Sequence, residues 1–156
     1  MGAVTTVGTL LTNLRTVLIA RNGLSGVAVY TGPVDDLSAG QEAIIFTVVP
    51  MTAAYRYSTL PGREVFEDYP IEGRIWVCTA GSGETIIAAA RDRALAILEQ
   101  VHDELDSYVG TAACVAALGV DDARISGWSL EQLVGDGYRD CRLTFTVAVK
   151  ARFTPA

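Results

Sequence analysis

The sequence predicts an α+β domain, one mainly antiparallel sheet of about five strands with an N-terminal helix and one long central helix packed on it. Three observations lead there. The run Arg139 to Phe153 places Cys141, Leu143, Phe145, Val147, Val149, Ala151 and Phe153 at odd positions and Arg142, Thr144, Thr146, Lys150 and Arg152 at even ones. That period of two sends alternate side chains to opposite faces of a strand. Glu64 to Thr79 alternates as well, with Val65, Tyr69, Ile71, Ile75 and Val77 on one face and Phe66, Asp68, Glu72, Arg74 and Trp76 on the other. Between these runs, Glu84 to Asp106 carries Ile87, Ala90, Ala94, Ile97, Leu98, Val101 and Leu105 along one helical stripe, which needs a sheet to lie on.

The chain in order supplies the other elements. Thr5 to Arg21 spaces Val7, Leu10, Leu11, Leu14, Val17 and Leu18 as an amphipathic helix, with Asn22-Gly23 expected as its left-handed C-cap. Val27 to Tyr30 reads as a short strand ended by Gly32-Pro33, and Asp35 and Asp36 as solvated turn acids. Glu42 to Val49 is a β-branched run closed by Pro50, expected as a central strand buried on both faces. Pro50 to Arg63 loses the pattern and reads as a loop rich in aromatic and basic side chains. In Glu64 to Thr79, Pro70 and Gly73 imply a kink, a bulge or an edge. Ser82 of Gly81-Ser82-Gly83 is the expected N-cap of the long helix, with Glu84 favourable to its dipole. Ser107 to Asp122 reads as a small-residue loop with one helical turn, and Ala123 to Val134 as a weaker strand with a bulge near Gly127. Gly135-Asp136-Gly137 then turns a hairpin into the last strand. At roughly 3.3 Å per residue that strand outgrows a typical one, so it is expected either to bend across the whole sheet or to pair beyond its own subunit.

Composition narrows function. The 156 residues suit a single domain over 1–156, and 50% hydrophobic with 19% charged residues is apolar enough that some surface is expected to be interface. A net charge of −6 argues against general affinity for nucleic acid, whose phosphates need clustered Lys and Arg. Cys78, Cys114 and Cys141 are an odd number without metal-ligand spacing and read as free thiols in a reducing cytoplasm. There is no basic and apolar leader pattern, and no apolar run approaches the roughly 18 to 20 residues of a membrane helix. Met1 to Thr6 fits only the loose myristoylation pattern.

No catalytic set emerges. Gly81-Ser82-Gly83-Glu84 lacks the Gly-Lys-Ser/Thr ending of a phosphate loop. His102 has Asp103 and Asp106 for neighbours but no Ser-centred or Cys-centred elbow. Asp35/Asp36, Glu67/Asp68 and Asp121/Asp122 are sequence neighbours whose side chains diverge. No metal, cofactor or catalytic residue is expected. Tyr55, Arg56, Tyr57 and Arg63 are of the types that populate protein interfaces, and Arg142, Lys150 and Arg152 line the polar face of the last strand. These seven are the candidate interface residues. The three basic residues of the last strand are expected to pair with acids across the sheet or across a subunit boundary.

The order and spacing of several segments resemble the tail terminator (tail completion) proteins of long-tailed, siphovirus-type bacteriophages. The segments are Gly23-Leu24-Ser25-Gly26-Val27, Tyr30-Thr31-Gly32-Pro33, Glu42-Ala43-Ile44-Ile45-Phe46 and Glu67-Asp68-Tyr69-Pro70-Ile71 with Ile75-Trp76-Val77. Ala88-Ala89-Ala90-Arg91-Asp92-Arg93-Ala94 and Arg142-Leu143-Thr144-Phe145-Thr146-Val147 complete the set, and Ser107 to Asp122 departs in length and alanine content. The resemblance implies a non-enzymatic virion protein located at the head-proximal end of the tail. It implies a hexameric ring, with the tail tube protein and a head-completion or connector protein as partners, through which DNA passes without specific binding. It involves no membrane and no cofactor. Two other readings stand beside it: another connector or neck ring, and a small hydrolase using His102 or Cys78.

Overall fold

The computed structural model describes residues 5–35, 37–47, 50–58, 64–109 and 120–154. Helix α1 (Val7–Ile19) and helix α2 (Glu84–Glu104) pack on one face of a six-stranded sheet. The strands are β1 (Ala28–Tyr30), β2 (Glu42–Phe46), β3 (Ala54–Tyr57), β4 (Val65–Ala80), β5 (Val120–Gly135) and β6 (Tyr138–Phe153). Their order is β1-β2-β4-β6-β5, with β3 on the same side of β4 as β2. Only β1 and β2 run parallel, so the α+β, mainly antiparallel expectation holds with one strand more than expected.

Alternation builds the core directly. Cys141, Leu143, Phe145, Val147, Val149 and Ala151 of β6 and Tyr69, Ile71, Ile75 and Val77 of β4 are buried under the helices. The helices answer with Leu10, Leu14 and Leu18 at four-residue spacing on α1, and Ala90, Ala94, Ile97, Leu98 and Val101 on α2. Ala43, Ile44, Ile45 and Phe46 are buried on both faces of β2, because the segment carrying Val34 and Leu37 packs with Ala43, Ile45 and Trp76 on the face away from the helices.

Several expectations are corrected. The strand Ala54–Tyr57 lies inside what reads as a loop; its four side chains are all exposed, so it lacks the burial contrast that marks a strand in sequence. Pro70 and Gly73 neither bulge nor kink β4, which pairs with β6 continuously from Val65 to Ala80. At Pro70 the edge alternative holds: it falls between the residues of β4 that β3 pairs and those that β2 pairs, a local edge where a missing N–H costs little. At Gly73 a Cβ would come 2.3 Å from the Phe145 ring, so glycine makes room for that ring. The last strand spends its length inside its own subunit, with β4 on one side and β5 on the other. Its length is therefore no sign of a second subunit. Asn22–Leu24 forms a 3-10 turn, and the left-handed residue is Gly26 (φ 81°) rather than Gly23. Gly83, not Ser82, caps α2, without a side-chain hydrogen bond. The helix ends in a π-turn, Leu105–Val109, which supplies the helical turn expected within Ser107 to Asp122; residues 110–119 lie outside the described residues, and β5 begins already at Val120. The bulge near Gly127 is present, between Ile125 and Gly127, and the two-residue Asp136-Gly137 turn closes the hairpin with Gly137 at φ 74°.

Candidate assembly surfaces

One end of the sheet gathers five of the seven sequence-predicted interface residues. Across the strands, Arg56 lies opposite Phe66 and Phe66 opposite Arg152; one row on, Ala54, Asp68, Lys150 and Asp122 stand side by side. These rows face away from the helices. Tyr55 and Tyr57 point to the helix-bearing side, opposite Glu67 and Val65. Tyr55 meets Phe153 edge-on at 6.3 Å, while Tyr57 is 74% exposed. Arg63 lies outside the described residues. Arg142 belongs elsewhere, since eight residues of strand, roughly 26 Å, separate it from Lys150.

The basic side chains on the open face are mostly neutralised within the chain. Arg56 bridges Asp68 at 3.3 Å and lies over the Phe66 ring. Arg152 reaches Asp121 across the hairpin at 3.2 Å, and Lys150 sits between Asp68 and Asp122 in register. Arg142 stacks on Trp76 at 4.2 Å and bonds Asp140, two residues back on its own strand, at 3.0 Å. Pairing with acids thus holds for Arg142 and Arg152, although the partner of Arg142 is along the strand rather than across it. Mixed signs at this spacing leave no basic stripe for a phosphate backbone.

What the sequence reading missed, beyond Tyr55 and Tyr57, is apolar and lies at sheet margins. Among the described residues β5 pairs only with β6, β3 only with β4, and β1 only with β2, so each has one edge without a neighbouring strand. The large hydrophobic side chains exposed there are Trp128 (56%), Val134 (79%), Tyr57, Tyr55 and Tyr30; among the described residues Ile19 is the one exposed off the sheet. In sequence Trp128 looks like any inward residue of a weak strand. Only the strand order makes it marginal.

The chemical alternatives fare poorly on the same geometry. Cys78 and Cys141 are buried, and burial together with the neighbouring Asp140 charge pushes both thiols up, Cys141 to about 11. Thiols held neutral are poor nucleophiles at neutral pH. Cys114 lies outside the described residues. His102 is exposed, 3.5 Å from Asp103 and 3.8 Å from Asp106, with no nucleophile among its described partners. Among the described residues no His, Cys, Asp and Glu cluster could hold a metal, and no helix is long and apolar enough to cross a membrane.

No protein-family model matches this chain, and no curated protein matches it. Among solved structures it is similar to a chain of the virion of a native gene transfer agent particle. The identity is 18%, the match covers 96% of this chain and 100% of that one, and the TM-score is 0.44. Likeness at that level carries no argument about function.

Proposed function

We propose that this chain is a structural virion protein. It assembles as a hexameric ring on the head-proximal end of a long-tailed phage tail tube, stops tube growth and presents the surface that joins the head. One observation carries the reading: five of the six large hydrophobics exposed among the described residues sit on the three strands that have a free edge. A lone monomer gains nothing from apolar side chains beside sheet edges that carry no further strand, which are an invitation to strand addition. A chain that lives in an assembly covers both. The ordered segments that resemble tail terminators give the assembly its place, and the acid-paired open face is compatible with DNA sliding past. Neighbouring copies, tube protein and connector are its partners in this reading, with Tyr55, Arg56, Tyr57, Lys150 and Arg152 on one contact surface, Arg142 on another, and Arg63 as a further contact residue.

Particles assembled without the chain test the reading. Tubes of unregulated length without heads are expected; normal-length tails joined to filled heads would overturn it. A labelled ring seated on the head rather than on the tube would instead make the chain a connector.

A further inference from the structure

We propose that strand β3 of one copy adds to the free edge of β5 in the next, with Tyr57 laid against the neighbour's Trp128. This rests on the assembly reading above and names the surfaces that join the copies. Strand direction is the first argument. Both β3 and β6 run antiparallel to β4, and β5 runs antiparallel to β6, so β5 runs with β4 while β3 opposes it. If the sheet continues from one copy into the next, the two edges meet antiparallel, the stronger ladder.

Facing is the second argument. Trp128 stands opposite Phe145, and Tyr57 opposite Val65, both on the helix-bearing side. In the joined sheet the two exposed rings therefore share a face. Antiparallel pairing of Tyr57 with Trp128 also sets Arg56 opposite Ser129, Tyr55 opposite Leu130 and Ala54 opposite Glu131. Tyr55 and the partly buried Leu130 again share the helix side. Arg56 and Ser129 share the open side, and Arg56 comes within diagonal reach of the Glu131 carboxylate, so charge and apolar character agree at each position.

Register is the third. Tyr57 lies in the row of Val65 and Trp128 in the row of Gly73, so each joint steps the next copy along the strands by eight residues, roughly 26 Å. A step of constant sense tilts the strands to the axis of closure, as stagger does in any closed sheet. The other edge, β1, has three residues and offers Tyr30 on the open side, so it presents no ring to Trp128's face.

Thiol cross-linking of the full chain tests the joint. With Cys114→Ser as background, Tyr57→Cys and Trp128→Cys together, treated with a short bismaleimide, are expected to yield covalent multimers beyond the dimer, and either substitution alone none. Failure of the double variant to cross-link while light scattering still reports an oligomer would overturn the joint and leave the assembly reading standing. Cross-linking of Trp128→Cys alone to a dimer would overturn it too, because β5 would then pair with itself. A monomer at every concentration and in assembled particles would sink both.

Discussion

Glu67 is the residue at which the amino-terminal part of the molecule is tied to the sheet. It is fully buried on the apolar face of β4, where alternation alone would place a hydrophobic side chain. Its carboxyl accepts hydrogen bonds from the Thr5 hydroxyl and, at 2.9 Å each, from the Thr6 hydroxyl and backbone N–H, while Tyr69 meets Thr6 at 2.9 Å. An acceptor at the first turn also favours the helix dipole, so β4 supplies α1 with the cap that its own Thr6 side chain does not. Glu67→Ala strands these donors and leaves a cavity, and a loss of about 3 kcal/mol is expected, read as a lower urea midpoint at unchanged slope. An unmoved midpoint would contradict this role. Burial, more than any other cause, pushes the neighbouring Tyr69 up to about 12 from an ordinary 10, the Thr6 hydrogen bond opposing and the Glu67 charge adding to it. The folded state then holds the phenolic proton where the unfolded chain has lost it. The contribution is therefore full below pH 10 and is lost as pH rises toward 12, on the order of 3 kcal/mol. Tyr69→Phe should flatten the fall in stability over that window, with Cys141, also shifted upward, accounting for a residue of the same sign below pH 11.

At the scale of elements, β4 and β6 are one unit, paired over sixteen residues and fixed in register by what each position must hold. Gly73 is the tightest such point, beneath the Phe145 ring that itself meets Phe46 edge-on at 5.9 Å. Gly73→Ala must push that ring aside, and a loss of about 2 kcal/mol is expected from thermal or urea unfolding. A neutral result would mean that the ring moves freely. The strand β3 behaves oppositely. Its side chains are exposed, and its Arg56–Asp68 pair is solvated, which limits the pair to less than about 1 kcal/mol. Replacing Tyr55, Arg56 and Tyr57 together by alanine should leave the circular dichroism spectrum intact yet block tail capping or head joining. Normal infectivity from that variant would count against β3 as a contact.

For the whole molecule, charge decides what the assembly tolerates. In the ring proposed above, the net charge of −6 per chain would multiply, and like charges focused in a concave lumen repel phosphate more strongly than on a convex surface. Arg56, Arg124, Arg142 and Arg152 are each bound to an acid of the same chain, so these four do not form a free cationic cluster that could release counterions. A low-salt titration with duplex DNA should therefore show no binding to the oligomer. Tight, steeply salt-dependent binding would mean that the basic residues of β6 face the lumen unpaired.

Much of this architecture is written locally, in periods that a chain cannot hide. The two alternating runs and the α2 stripe determine the long strands, the helix and the faces they bury, because a pleat has period two and a helix 3.6. Turn chemistry does the same for Asp136-Gly137. What the tertiary structure alone decides is order and neighbourhood. Which strand is an edge depends on pairings far apart in the chain, so Trp128 could not be told from a core residue, nor β3 from a loop. Glu67 breaks the alternation with a charge whose partners, Thr5 and Thr6, lie some sixty residues away. Pro70 and Gly73 look like faults in a strand until β2 and β3 leave a gap beside one and Phe145 fills the space above the other. Long-range packing sets these features, and local pattern carries no record of them.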